Sequence, residues 1–279
     1  MFFLYKDWDD FCKELSNRGY HSVTAASLLI SVNEGKKLPA NFINLKHDVE
    51  SKPSRALELA KIENRYGHCA SYYVQAYLMT EENRNIFSQI QDLGHEVTYH
   101  HDVMDGGKGD LNKAASIFRE NLQRFESLGF KITTVCQHGN PMSNFENRDF
   151  FKSEFVQNIY PLLADIMVDF MTKIHQNYVY ISDVGMSFKI VKDPVNPVKG
   201  DDKKYIDLHD WRGVIKELES NTGKSYIISA HPHRYNASKF NAVLKISIFK
   251  FIRAVAKVVF KIPGTKKFLF KFNFISKKL

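Results

Sequence analysis

The stretch FINLKHDVESKP, residues 42–53, contains the features that decide the fold. Residues 42–46 read as a short strand, and the polar run His-Asp-Val-Glu follows at residues 47–50. Pro53 then favours the first turn of a helix, where its missing N–H would have no partner in any case. A strand, a polar run and a helix in direct succession predict one unit of a strand–helix alternation.

The alternation continues on both sides of this stretch. Its pattern predicts a mostly parallel sheet or a (β/α) barrel. The predicted helices cover Asp7–Arg18, Pro53 to Gly67, Asn85–Leu93, Asp110 to Gly129 and Trp211–Leu218. The further predicted strands are Ala70–Val74, Glu96–Tyr99, Ile132–Cys136, Ile166–Phe170, Tyr178–Ile181 and Ser225–Ala230.

Four predicted strands run directly into histidines or carboxylates. In parallel α/β folds the carboxyl ends of the strands lie on one edge, where ligands bind. Imidazole and carboxylate groups gathered there are ligands for a divalent metal, and no thiolate is required. The four polar runs are His47-Asp48-Val49-Glu50, His100-His101-Asp102, His138-Gly139-Asn140-Pro141 and His231-Pro232-His233-Arg234.

Each of these residues also has a purely structural interpretation. A single histidine at a strand end is more often a core or capping residue than a ligand. Asp48 and Glu50 could belong to a solvated turn before the helix at Pro53, and Cys136 is expected to be a buried structural thiol. The coincidence of four such strand ends, rather than any one of them, favours a metal site.

Charge is distributed unevenly along the 279 residues. The net charge is +8, but residues 239–279 contain eleven Lys or Arg and no acid, so residues 1–238 carry 28 basic and 31 acidic residues. The high isoelectric point therefore belongs to the C-terminal segment, and nucleic acid is not an expected partner. This charge division also sets the predicted domain organisation, which is a body at 1–238 and a basic tail at 239–279.

The tail has the pattern of an amphipathic helix. Basic residues on one face and aliphatic residues on the other predict contact with an anionic membrane surface through residues 245–279. The alternative is a C-terminal helix whose apolar face packs on the body. The basic stripe is Lys250, Arg253, Lys257 and Lys261, and the aliphatic stripe is Ile248, Ile252, Val255, Val259 and Ile262.

The cellular location follows from what the sequence lacks. Acids at Asp7, Asp9 and Asp10 interrupt any signal-peptide core, and no uncharged apolar stretch approaches the ~18 residues of a membrane span. Three widely spaced cysteines suit a reducing compartment. The sequence predicts a cytoplasmic protein, peripheral at the inner face of the cytoplasmic membrane if the tail binds there.

The strand-end motifs resemble those of NodB-type polysaccharide deacetylases, carbohydrate esterase family 4, in particular a divergent branch with an HDVD-like first motif. The resemblance extends from Ile43 to Tyr235. The segments that carry it are residues 45–50 (LKHDVE), 93–100 (LGHEVTYH), 134–141 (TVCQHGNP) and 230–232 (AHP).

This resemblance implies a distorted (β/α)7 barrel, a divalent metal such as Zn, Mn or Co, and removal of acetyl groups from N-acetylated sugars. It also implies that Asp48 is the catalytic base, that Glu50 and His100 bind metal, and that His231 protonates the leaving amine. The family's metal carboxylate is usually Asp, so Glu50 is longer by one methylene.

A second departure concerns the family's second metal histidine, four residues after the first. That position is Met104 here, and a thioether is a poor ligand for a hard ion. We expect His138 to complete the ligand set, with Asp102 as the fallback. Asp183, after the strand at Tyr178–Ile181, is expected to orient a catalytic group or to cap a turn.

The functional hypothesis is a metal-dependent hydrolase of amide C–N bonds. It would remove an N-acetyl group from a sugar or glycan precursor in surface-polysaccharide biosynthesis. One alternative is a catalytically silent sugar-binding or scaffold protein of a membrane-associated glycan assembly. Another keeps the metal site but acts on a C–N bond outside sugars.

Overall fold

The computed structural model describes residues 3–39, 41–140, 143–170, 178–192, 205–244 and 246–248. The helices are α1 (Tyr5–Asn17), α2 (Ala25–Asn33), α3 (Pro53–Arg65), α4 (Glu81–Asp92), α5 (Val103–Gly107), α6 (Leu111–Ser127), α7 (Asp149–Lys152), α8 (Glu154–Ile159) and α9 (Trp211–Ser220). The strands are β1 (Ile43–Val49), β2 (Ala70–Val74), β3 (Glu96–His101), β4 (Thr134–Gln137), β5 (Ala164–Asp165), β6 (Tyr178–Ser182), β7 (Phe188–Val191), β8 (Tyr205–His209) and β9 (Ser225–Ala230).

The strands form one sheet in the order β5-β4-β3-β2-β1-β9-β6-β7-β8. Pairing is parallel from β5 to β6, and β7 and β8 extend the sheet in antiparallel fashion. The predicted α/β class is therefore confirmed. Because β5 and β8 lie at opposite ends of this order, the predicted distorted (β/α)7 barrel is not confirmed.

Most predicted elements are present, and β2 and β9 have the predicted bounds. The strand predicted at Ile166–Phe170 is wrong, because these residues form a π-helical segment after the two-residue strand β5. Asp165 Oδ1 accepts hydrogen bonds from the N–H groups of Met167 and Val168, which turns the backbone out of the extended conformation. The sequence pattern does not predict helices α2, α5, α7 and α8 or strands β5, β7 and β8.

The two faces of β1 have different surroundings, and this difference positions the site. All seven residues of the strand are buried between its parallel neighbours β2 and β9. Leu45 and Val49 join the main hydrophobic core, whereas Lys46 and Asp48 line a cleft on the opposite face. Alternation along a strand places residues two apart on the same side.

A buried carboxylate anchors β1 to the helices behind it. Glu63, on α3, accepts hydrogen bonds from Trp8 Nε1–H at 2.9 Å, His47 Nε2–H at 2.6 Å and the Tyr72 hydroxyl at 2.7 Å. Burial raises the pKa of Glu63, but the nearby His47 and these hydrogen bonds lower it to a net value below the ordinary one. One side chain thus connects α1, α3, β1 and β2.

In the part of the chain that the structure describes, no helix has both the length and the apolar character needed to cross a membrane. The predicted tail lies outside the described residues except for 239–244 and 246–248. The boundary at residue 238 stays a prediction.

Glu63→Ala is expected to lower the free energy of unfolding by about 3 kcal/mol, because it leaves three buried donors without their acceptor. Glu58→Ala, on the same helix, removes an exposed carboxylate paired with Lys61 and is expected to cost less than about 1 kcal/mol. Urea unfolding of both variants measures the difference. Equal losses would contradict the role of Glu63 as an anchor.

Candidate active site

The carboxyl ends of β1, β3, β4 and β9 meet at one edge of the sheet, as the sequence predicts. Side chains from all four contribute to one region, where His100 Nδ1 lies 4.0 Å from Asp48 Oδ1 and His231 Nε2 lies 3.9 Å from Asp48 Oδ2. A cleft of about 360 Å³ opens there. Its walls include Asp48, Glu50, His100 and His231, together with Tyr180 of β6.

Three side chains in this region could hold a metal ion. Glu50 Oε1 lies 3.0 Å from His138 Nε2 and 3.9 Å from His100 Nε2. One ligand atom of each residue lies within 4.8 Å of the others, so a single ion could contact all three. Carboxylate and imidazole ligands suit Zn²⁺, Mn²⁺ or Co²⁺. The residues therefore fit a divalent metal of the kind that the family resemblance implies.

Backbone contacts orient the His100 ring for this purpose. His100 Nδ1 lies 3.0 Å from the Cys136 carbonyl oxygen, which can only accept, so Nδ1 carries the proton. The lone pair is then on Nε2, the nitrogen that faces Glu50. Burial lowers the pKa of His100 to about 3, so the ring is neutral and can bind a metal at physiological pH.

A second group of potential ligands, Asp48, His100 and Cys136, lies beside the first. Its carboxylate already has a cation, because Lys46 Nζ lies 2.5 and 2.6 Å from the two oxygens of Asp48. Burial also raises the pKa of Cys136 well above its ordinary value, which keeps the thiol protonated. The geometry therefore favours the Glu50, His100 and His138 group.

Lys46 was missed as a site residue in the sequence. Burial raises the pKa of Asp48, but the Lys46 ammonium opposes this effect and, with His100 and His231, holds the net pKa well below its ordinary value. Asp48 is therefore ionised at neutral pH. The period of a strand could have identified the residue, since Lys46, Asp48 and Glu50 are each two apart.

His231 and Asp183 form a buried pair. His231 Nδ1–H donates to Asp183 Oδ1 at 2.6 Å, and the His231 backbone N–H donates to Asp183 Oδ2 at 3.0 Å. Arg234 Nη1 lies 2.6 Å from Asp183 Oδ1. Asp183 therefore fixes the ring so that Nε2 points toward Asp48, the arrangement by which a carboxylate orients an acid–base histidine.

The other sequence candidates are not members of the Glu50, His100 and His138 group. Asp102 precedes α5 and is neither in that group nor among the described residues that line the cleft. The side chain of Met104 is buried in the main hydrophobic core. Cys136 is buried as expected and also lines the cleft.

No family model and no curated protein matches this chain. Among solved structures, it is similar to a Streptococcus mutans CE4 esterase, with 11% identity, coverage of 85% of this chain and 90% of that one, and a TM-score of 0.45. It is also similar to a CE4 family pseudoenzyme from Bacillus anthracis, with 10% identity, coverage of 74% and 60%, and a TM-score of 0.43.

A third similar structure is a Streptococcus pyogenes deacetylase in complex with acetate, at 11% identity and a TM-score of 0.41. The match covers 49% of this chain and 65% of the deacetylase. The likeness is to carbohydrate esterase family 4. This is the family that the strand-end motifs resemble. Because these TM-scores are below 0.5, the roles proposed below depend on the geometry of the site.

The Asp183 pair predicts a pH effect on stability. Burial raises the pKa of Asp183, but Arg234 and His231 outweigh it and lower the net pKa from 3.8 to about 2. As the pH falls, the unfolded chain therefore takes up this proton before the folded chain does, and stability is lost. From pH 6 to pH 3 the loss from this group is expected to be about 1 kcal/mol.

Urea unfolding at the two pH values, in wild type and Asp183→Asn, tests this expectation. The variant is less stable throughout but should lose about 1 kcal/mol less than wild type over that interval. Asp92→Asn, at an exposed position on α4, is the control. The same pH dependence in wild type and Asp183→Asn would contradict the expectation.

Proposed function

We propose that this protein is a metal-dependent hydrolase that removes the acetyl group from the nitrogen of an N-acetylated sugar or glycan precursor. The observation that carries the proposal is the convergence of two sets of residues at one edge of the sheet. Glu50, His100 and His138 form a metal ligand group, and Asp48 and His231 stand beside it with their reactive atoms 3.9 Å apart. Amide hydrolysis needs a polarised carbonyl, a base for water and an acid for the departing nitrogen.

A bound divalent cation would polarise the acetyl carbonyl and lower the pKa of the attacking water. The roles of the protein residues follow from their contacts. Asp48, fixed by Lys46 and ionised, accepts the proton of the water. His231 gives a proton from Nε2 to the departing nitrogen, while Asp183 holds the opposite nitrogen of its ring. Without that proton the nitrogen would have to leave as an amide anion.

The complete acid–base arrangement favours an enzyme over a silent binding protein. A sugar-binding or scaffold protein has no need for a histidine held by a buried carboxylate 3.9 Å from a second carboxylate. Maintaining such groups in a buried place costs desolvation free energy. Assays with different N-acetylated sugars would identify the substrate.

Two measurements test this function. Metal analysis of gently purified protein is expected to find one divalent ion per chain, and assays with N-acetylated sugars are expected to release acetate. Glu50→Gln and His138→Ala should each reduce the bound metal. Asp48→Asn should keep the metal but lower kcat at least ~100-fold, because the base that takes the proton of the water is lost.

Asp102→Asn is the control, since Asp102 lies outside the ligand group, and it should change neither metal content nor rate. Absence of metal even after addition of Zn²⁺, Mn²⁺ or Co²⁺, together with no acetate release, would favour the silent binding protein. Metal binding with hydrolysis only of amides outside sugars would instead support the second alternative.

We further propose that the C-terminal segment holds the enzyme at an anionic membrane surface, as expected for work on a lipid-linked or membrane-assembled glycan. Phe240, Val243 and Leu244, at the start of this segment, are exposed apolar side chains. Eleven Lys or Arg and no acid occur from residue 239 onward. Apolar insertion combined with basic charge is how amphipathic segments bind anionic lipid.

Removal of the residues after Phe240 is expected to abolish co-sedimentation with phosphatidylglycerol-containing vesicles and to leave acetate release intact. A matched full-length variant with Glu at Lys250, Arg253, Lys257 and Lys261 keeps the apolar residues and should also fail to bind. Neither wild type nor variants should bind pure phosphatidylcholine vesicles. Loss of solubility on truncation, with no vesicle binding by wild type, would support packing of the tail on the body.

A further inference from the structure

Asn147 joins two segments beside the metal ligand group, and it is buried with 1% of its surface exposed. Its Oδ1 accepts hydrogen bonds from the backbone N–H groups of Met104 and Asp105, at 3.0 and 3.1 Å. Its Nδ2 donates to the His138 carbonyl oxygen at 2.9 Å and to Asp105 Oδ2 at 3.1 Å. The side chain therefore uses donor and acceptor atoms to fix α5 against the residue that follows β4.

Backbone contacts matter more for the orientation of His138 than for that of His100. A metal-binding histidine is usually oriented by a hydrogen bond from its second ring nitrogen. His100 has that bond, to the Cys136 carbonyl, but His138 Nδ1 is buried with no hydrogen-bond partner among the described residues. The position of the His138 ring therefore depends on its Nε2 contact with Glu50 and on its backbone, whose N–H donates to the His101 carbonyl at 2.7 Å and whose carbonyl accepts from Asn147.

The other backbone segment that Asn147 contacts includes residue 104. Met104 stands where the resembled family has its second metal histidine, and its side chain is in the hydrophobic core. The same asparagine thus binds the backbone of residue 104 and that of the histidine proposed to replace the missing ligand.

We propose that Asn147 is a positioning residue that holds His138 in place to bind the metal. This inference rests on the proposed function, because it assumes that His138 is a ligand. Asn147 also has a structural role, as the acceptor for two N–H groups at the start of α5, and a test has to separate the two. Asn147→Asp does so when it is combined with Asp105→Asn. A carboxylate at position 147 still accepts from the Met104 and Asp105 backbone N–H groups but cannot donate to the His138 carbonyl, and the amide that replaces Asp105 avoids a repulsion between two carboxylates.

The experiment measures Zn²⁺ affinity by competition with a chelator in wild type, in Asp105→Asn, in Asn147→Asp combined with Asp105→Asn, in Asn147→Ala and in His138→Ala. Asn44→Ala is the matched control, because Asn44 is a fully buried asparagine that donates to the Val23 carbonyl away from the site. Circular dichroism establishes that each variant is folded at the temperature used. Both Asn147 variants are expected to bind Zn²⁺ at least ~10-fold more weakly than wild type, and Asn44→Ala to stay within about 2-fold.

The negative charge introduced by Asn147→Asp helps to separate the possible outcomes. Relative to Asp105→Asn alone, the combined variant adds a negative charge near a cation site, which should by itself strengthen binding, so weaker binding reports the lost positioning of His138. Wild-type affinity in the combined variant, with weak binding in His138→Ala, would overturn the inference and leave the proposed function standing. Equal affinity in His138→Ala and wild type would show that His138 is not a ligand, and both proposals would fail.

Discussion

Lys46 and Asp48 form an ion pair in the centre of a parallel sheet, where a single buried charge would be strongly unfavourable. Their strand is covered on one face by the helices and by the main core, so the two residues face the cleft together. Removing either partner would leave the other charged and without compensation. The pair therefore fixes which face of β1 carries the chemistry, and it keeps Asp48 ionised beside the imidazoles of His100 and His231.

The register of the parallel strands explains how the histidines of the site come to lie near one another. His100 of β3 is paired with Cys136 of β4, and His138 comes two residues later, directly after the end of β4. Adjacent strands lie about 4.8 Å apart, close enough for ligands from both to contact one ion. If His138 is a ligand, as we propose, the end of β4 can supply it without a change in the sheet. In that proposal Asn147 is the side chain that supports His138.

The sequence was sufficient to predict the parallel strands and the gathering of Asp48, Glu50, His100, His138 and His231, because alternation and strand ends are local patterns. Lys46 could have been added from the two-residue period of β1. Asn147 could not have been predicted from a local pattern, because its partners Met104 and His138 are 43 and 9 positions away in the chain. The error at Ile166–Phe170 has a local cause, because a side-chain cap from Asp165 outweighs an apolar pattern typical of a strand.

The most direct test of this account is an anomalous-scattering difference map from a crystal of the protein grown with Zn²⁺. The account predicts one strong peak in contact with a Glu50 carboxylate oxygen, His100 Nε2 and His138 Nε2, with Lys46 still bound to Asp48. A peak between Asp48 and Cys136, or no peak within reach of these imidazoles, would contradict it.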